Sequence, residues 1–331
     1  MEPNIFLSKK EWKKLNPEEF EQYLESVFNY YRNVRGFPYY PVDKSFRDKK
    51  FSELMKFDTS HLFLDDIIKQ TMHGLALAWS YFPHSWEIHC NNLKTPYDIF
   101  HDDDAFRGAI RKRTRMGDNM SDSGIRKMMK IYTGTQSVSN FRPTSASVIY
   151  DRYSNGGIVW DMSGGFGGRL LGAIKSGIKR YIATDPSTKT YEGLIKINED
   201  YGNGIGEIYK LGSEDYIPDS ETLDLCFSSP PYFDTEKYSE EESQSYKKFP
   251  DKELWRVGFL KKTFDNCYIG LKPNKHMIIN VANTKNYKTL EEDTIRTALE
   301  VGFKHIDTLK LSLSCLGKGN VKYEPMFVFQ K

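Results

Sequence analysis

The stretch GGIVWDMSGGFGGRLLGA, Gly156 to Ala173, limits the possible folds more than any other part of the chain. It reads as a short apolar strand, a turn with glycines at 164, 165, 167 and 168, and the first residues of a helix. Such a turn lets the backbone approach a ligand closely, and the helix behind it aims free N–H groups at an anion. From about Ser139 onward the same alternation of apolar runs and helix-like segments continues, as in a mostly parallel sheet covered by helices. Strands are predicted at Ile158 to Trp160, Arg180 to Thr184, Ile208 to Leu211, Leu223 to Phe227 and Met277 to Val281. Helices are predicted from Leu170, over Tyr191 to Asn198, Glu253 to Ile269 and Thr289 to Leu299. The last two apolar runs, Ile306 to Leu313 and Met326 to Phe329, lack a helix-length spacer and predict an antiparallel hairpin on one sheet edge.

The turn alone does not separate a dinucleotide site from a site for S-adenosylmethionine, nor from a tight turn that binds nothing. Two residues favour S-adenosylmethionine. A dinucleotide fingerprint starting at Gly165 needs glycine or alanine at position 170, where Leu170 stands. Asp161 ends the first predicted strand, where a carboxylate suits the ammonium group of a methionine moiety and would repel a pyrophosphate. Asp185 ends the second, 20 residues after Gly165, placed to accept from ribose hydroxyls. No Gly-Lys-Ser/Thr follows the glycines, which excludes a phosphate loop.

The fourth predicted strand ends in Ser229-Pro230-Pro231-Tyr232. In open parallel sheets ligands bind outside the carboxyl ends of the strands, so this tetrapeptide is expected in one cleft with the glycine turn. Each residue before a proline is held extended, and neither proline offers an N–H, which leaves carbonyls free to accept. An exocyclic amino group of cytosine or adenine is a poor nucleophile because its lone pair is delocalised into the ring. The Ser229 hydroxyl and Pro230 carbonyl could accept both amino hydrogens and favour a pyramidal nitrogen aimed at a methyl donor. Tyr232 would give an extruded base a flat face. The alternative for Pro-Pro-Tyr is a rigid loop or a proline-rich ligand motif.

With these motifs on successive strands, the segment from about Ser139 to Lys331 resembles the S-adenosylmethionine-dependent DNA amino-methyltransferases, which make N4-methylcytosine or N6-methyladenine. The whole chain, including GFPYYP and FPHSW, also resembles methyltransferases carried by bacteriophages and mobile elements. The resemblance implies a Rossmann-like methyltransferase sheet; the scattered cysteines and the lack of a leader or spanning run separately lead to the expectation of a cytoplasmic protein. The resemblance assigns Ser229, Pro230, Pro231 and Tyr232 to catalysis. Asp161, Gly165, Phe166, Gly167 and Asp185 would contact the cofactor, as would Phe141, Arg142 and Pro143 in VSNFRPTSASVIYDRY. In LGSEDYIP, Ser213, Glu214 or Asp215 would meet the adenine amino group. Met162-Ser163 departs from the more usual Pro-Phe after the acid, and Asn274 stands where glycine is frequent. Serine before Pro-Pro leans toward cytosine N4 over adenine N6. Whether a restriction endonuclease acts alongside is left open.

The first 138 residues differ in texture and are expected to form a mainly helical, DNA-reading region, residues 139–331 being the catalytic domain. Net charge is only +2, so affinity for nucleic acid must come from a local cluster. Between Phe106 and Lys130 stand eight basic residues, Arg107, Arg111, Lys112, Arg113, Arg115, Arg126, Lys127 and Lys130, against two Asp. They form either a phosphate-contacting patch or a solvated helix face. His84-Ser-Trp-Glu87-Ile-His89 matches no zinc motif, and no metal is expected. FDTEKYSEEESQSY, after Tyr232, is a polar loop that either closes over substrate or stays solvated. Cys90, Cys226, Cys267 and Cys315 are scattered and expected as free thiols. No basic-apolar leader and no apolar run of spanning length argues for secretion or membrane insertion.

Overall fold

The computed structural model describes residues 7–116, 119–313 and 321–331. Two compact units divide the chain, one formed by Met1–Tyr40 and Pro83–Val138, the other by Pro41–Phe82 and Ser139–Lys331. The boundary expected after residue 138 therefore needs correction: residues 41–82 pack with the sheet unit and not with the helical one. The reason is steric and apolar. Trp79 and Phe82 lie against Phe166, with ring centroids 5.3 and 5.6 Å apart, and Phe82 fills the space left by the missing side chain of Gly193.

Among the described residues the sheet unit carries nine strands. They are β1 (Phe63–Leu64), β2 (Ile67–Ile68), β3 (Ile158–Asp161), β4 (Arg180–Thr184), β5 (Gly206–Tyr209), β6 (Leu223–Ser228), β7 (Leu271–Asn280), β8 (Lys304–Ser312) and β9 (Tyr323–Gln330). Their order is β1-β2-β8-β9-β7-β6-β3-β4-β5. The neighbours from β5 through β7 pair in parallel, and β9 is antiparallel to both β7 and β8. This is a Rossmann-like α/β sheet, mostly parallel, with the expected C-terminal antiparallel pair. The pair is not the sheet edge, however, because β2 adds to β8 in parallel, with Ile67 opposite Lys310, and β1 adds to β2.

β6 shows why the centre of the sheet is apolar. All six of its residues are buried, as expected for a strand covered on both faces. Its one acid, Asp224, accepts from the Ile158 N–H at 2.9 Å and from Lys272 Nζ at 2.9 Å. Behind β6 and β7, Trp255, Phe259, Phe264, Leu271 and Ile279 belong to one apolar cluster. The predicted helix over 253–269 is present as Lys252–Trp255 and Lys262–Gly270 joined by a wider π-helical turn, Arg256–Lys261. Asn274, on β7, takes φ +64°, a left-handed angle that asparagine tolerates.

The helical unit is built from Pro17–Tyr30, Asp103–Met116, Asp122–Lys130 and shorter helices. Its core gathers aromatic side chains, among them Phe28, Tyr31, Phe37, Trp86, Phe100 and Phe106. The segment GFPYYP contributes Phe37, whose ring lies 5.5 Å from Trp86 and 5.4 Å from Phe100. Cys90, Cys226 and Cys267 are buried free thiols, and Cys315 lies outside the described residues. Among the described residues no helix is long and apolar enough to cross a membrane.

Candidate active site

The glycine turn is built by exclusion of side chains. At Gly168 a Cβ would stand 1.8 Å from the Phe141 carbonyl oxygen, so the segment 140–142 can lie directly on the start of the helix Gly168–Ser176. Gly165 takes φ +56°, and its N–H donates to Asp185 Oδ2 at 3.0 Å. The other Asp185 oxygen accepts from the Ser187 N–H at 3.0 Å. One acid therefore fastens the turn after β3 to the end of β4. Burial pushes its carboxyl up to about 7, against the lowering effect of those two backbone donors.

At the end of β6, Ser228 Oγ donates to Asp161 Oδ1 at 2.9 Å, which joins the two motif-bearing strands at their carboxyl ends. The next residues lead into the cavity. It holds about 440 Å³ and is lined by Ser229, Pro230, Pro231 and Tyr232 on one side and by Gly165, Phe166, Asp185, Ser213 and Glu214 on the other. Phe141 and Arg142 also line it. Three expected contacts are elsewhere. Pro143 occupies the first turn of the helix Pro143–Tyr153, Gly167 caps the helix after the turn at φ +72°, and Asp161 is fully buried behind the wall.

The ammonium role expected for Asp161 is corrected by what its carboxylate holds. It accepts from Arg169 Nε at 2.8 Å, the Tyr181 hydroxyl at 2.5 Å, Ser228 Oγ and the Ser163 N–H at 3.3 Å. Four donors saturate it. The charged group that reaches the cavity wall is instead Arg169, whose guanidinium also donates to the Ser163 carbonyl. The pair is almost dry, with side chains 6% and 0% exposed. Sequence reading missed Arg169 because it stands inside a helix, eight residues beyond Asp161, with nothing in the glycine pattern to mark it.

Among the described residues, two buried polar atoms on the wall have no hydrogen-bond partner, Glu214 Oε2 and Gln244 Nε2. Leaving such atoms unpaired costs about 1–3 kcal/mol each, so they mark where a ligand's polar edge fits. Glu214 is held by Lys248 Nζ, which bonds its Oε1 at 2.5 Å and Asp215 Oδ2 at 2.7 Å. Gln244 belongs to the polar loop after Tyr232, and that loop lies over the cavity. Glu241 accepts from the Thr188 N–H at 2.9 Å, Ser243 Oγ donates to the Pro186 carbonyl at 3.2 Å, and Glu236, Tyr238, Ser245 and Tyr246 line the space beneath.

Residues from distant strands complete the end nearest Tyr232. The Tyr232 hydroxyl donates to Glu324 Oε1, on β9, at 3.0 Å. Burial and the facing Glu324 carboxylate push that phenol well above its usual range, with the Ser229 hydroxyl acting in the opposite direction. Burial also raises Glu324, opposed by bonds from Tyr232 and Asn280. Asn280 and Leu311 line this end, as does Gln70 from the strand β2 side. Phe233, directly after the motif, takes φ +57°, and its buried ring packs 6.0 Å from Trp255 and 6.2 Å from Tyr287.

The helical unit gives a different result for the basic segment 107–130. Arg107 pairs with Glu25 and Arg111 with Glu21, each through two nitrogens. Lys112 and Arg113 donate to the carbonyls of Ile131 and Asn119. Arg126 is buried, donates to the Pro38 carbonyl at 2.7 Å and stacks over Tyr40, and Lys130 lies over Trp86. Arg115 and Lys127 are exposed. Most of the expected phosphate patch is committed to internal contacts.

No protein-family model matches the chain, and no curated protein matches its sequence. Solved structures do match. A SAM-dependent methyltransferase from Aquifex aeolicus is 14% identical over 57% of this chain and 89% of its own, with a TM-score of 0.39. A SAM-dependent O-methyltransferase from Thermotoga maritima is 12% identical over 59% and 67%, with a TM-score of 0.38. The 1,6-didemethyltoxoflavin-N1-methyltransferase of Burkholderia thailandensis, solved with S-adenosylhomocysteine, is 11% identical over 56% and 76%, with a TM-score of 0.41.

Proposed function

We propose that this chain transfers a methyl group from S-adenosyl-L-methionine to the exocyclic amino group of a flipped base in DNA, cytosine N4 in preference to adenine N6. The observation that carries the reading is one cavity walled by Ser229-Pro230-Pro231-Tyr232 at the end of β6 and by the glycine turn with Asp185. Asp185 would take the ribose hydroxyls, and Glu214, with its unpaired Oε2, the adenine edge. Arg169 at the wall suits the carboxylate of the methionine part. The donor supplies an already activated methyl group. The chain's own task is to align the amino nitrogen, which the Ser229 hydroxyl and Pro230 carbonyl do by accepting its two hydrogens.

The test is transfer of labelled methyl from S-adenosylmethionine to DNA, RNA and protein in parallel, followed by mass spectrometry of the modified nucleosides. Label in N4-methylcytosine or N6-methyladenine of DNA supports the proposal. Label confined to RNA or to glutamine side chains would move the reading to another polymer with the same chemistry. Donor binding without transfer to any of the three would sink it.

A further inference from the structure

Methylation leaves a positive charge on the amino nitrogen, which must shed one of its two hydrogens as a proton. Around Tyr232, Asn280 and Leu311 are buried, at 2% and 3% exposed, while Ser229, Tyr232 and Glu324 are half-buried. A path within the protein is then of use beside direct loss to water.

We propose that Glu324 is the final acceptor of that proton, reached from Ser229 through the Tyr232 phenol, a role that rests on the amino-group reading above. Ser229, three residues before Tyr232, lines the same cavity, and the phenol donates to Glu324 Oε1 at 3.0 Å. As the nitrogen–methyl bond forms, the old carbon–sulfur bond breaks and its electron pair stays on sulfur. The nitrogen's proton passes to Ser229 Oγ, the Ser229 hydroxyl proton to the Tyr232 oxygen, and the phenolic proton to Glu324. Ser229 and Tyr232 end as they began. The sulfonium charge and the carboxylate charge have cancelled, and one proton rests on Glu324.

The surroundings suit a proton acceptor. Glu324 lines the same cavity as Ser229, and burial raises its affinity for a proton. The groups that face it are Tyr232, Asn280 from β7 and the Glu291 carboxylate from the helix Leu290–Val301, while Glu236 from the loop faces the phenol. The Glu291 carboxylate favours a protonated Glu324 after transfer. Asn280 is held in place by its own bond to the Pro325 carbonyl at 3.0 Å.

The experiment compares Glu324→Gln, Tyr232→Phe and the double variant in the full chain by single-turnover methyl transfer across pH, with donor affinity measured separately. Each single change is expected to slow transfer at least about tenfold, with donor affinity changed less than about twofold. The double variant should be no slower than the worse single one, because the groups act as a unit. Wild-type transfer should rise with pH as Glu324 ionises, and Glu324→Gln should lose that rise. Infrared spectra of the protein alone give a second readout: a carboxyl band titrating above that of free glutamic acid, absent in Glu324→Gln and shifted in Tyr232→Phe. If Glu324→Gln does not fold, Tyr232→Phe decides, since it removes one oxygen. Wild-type-rate transfer by Tyr232→Phe, or losses that multiply in the double variant, would overturn the relay alone. A wild type that methylates no base in DNA would overturn the amino-group reading with it.

Discussion

The basic segment of the helical unit and the cavity of the sheet unit are opposites. The first holds eight cationic side chains of which most are spent on Glu21, Glu25, backbone carbonyls and aromatic faces. The second carries six charged side chains of both signs, and among the described residues two of its buried polar atoms have no partner, while two of its acids, Asp185 and Glu324, are raised by burial. Charge counted along a sequence measures supply. What is open to a ligand is set by what folding leaves unpaired, and that favours the cavity.

The strongest way to break this contrast is to unpair what the cavity wall has paired. Asp161→Ala leaves the buried Arg169 guanidinium without its counter-charge, and the expected loss is about 3–5 kcal/mol of stability, read from urea unfolding. A loss below about 1 kcal/mol would mean that Arg169 finds another partner or water. Asp185 gives the next largest effect. Asp185→Ala is expected to weaken S-adenosylmethionine binding about 10- to 100-fold by calorimetry, before any effect on transfer at saturating donor.

The same residue makes binding depend on pH. Its folded pKa, about 7, lies above the ordinary carboxylate value, so the folded chain holds that proton more tightly than the unfolded chain does. This contribution to stability is present at low pH and is lost as pH rises from about 4 through about 7. Ribose hydroxyls are accepted best by the ionised form, so donor affinity should increase between about pH 6 and pH 8, and Asp185→Asn should flatten the curve. Glu214→Ala, which removes the unpaired oxygen, should cost donor affinity about tenfold. The smallest effect belongs to the helical unit. Arg107→Ala with Arg111→Ala should change DNA affinity less than about twofold and leave its salt dependence unchanged, whereas Arg115→Ala or Lys127→Ala would each lower the salt slope by about 1 if those side chains meet phosphate.

The sheet's centre was legible because its strands are buried on both faces. β4 matches its predicted residues, and β3 and β6 each extend one residue further. At the margins the apolar signal weakens. β5 begins two residues earlier than expected, at Gly206, since none of its residues is fully buried and Leu211 belongs to the following turn. β7 starts six residues early because pairing with β6, from Leu223 opposite Leu271, overrides the local signal of Pro273 and Asn274. β1 and β2 are two residues each, too short for any periodicity. In the site, the residues read from motifs reach the cavity where the motif is a backbone device, as at Gly165 and Pro230. The assignment failed at Asp161, where the outcome depended on Arg169, Tyr181 and Ser228 competing for one carboxylate. Glu324 and Asn280 gave no local signal, because their place beside Tyr232 comes from β9 lying between β7 and β8.

Phe233 shows how this arrangement constrains change. A turn that glycine would enter freely is held here by an aromatic ring lodged among Trp255 and Tyr287, so left-handed backbone strain of about 1–2 kcal/mol is offset by burial of that ring. The aim of the preceding tyrosine is thus set from behind, by the hydrophobic interior. Substitutions at Trp255 or Tyr287, remote from any substrate, would misdirect the tetrapeptide while leaving every one of its four residues in place.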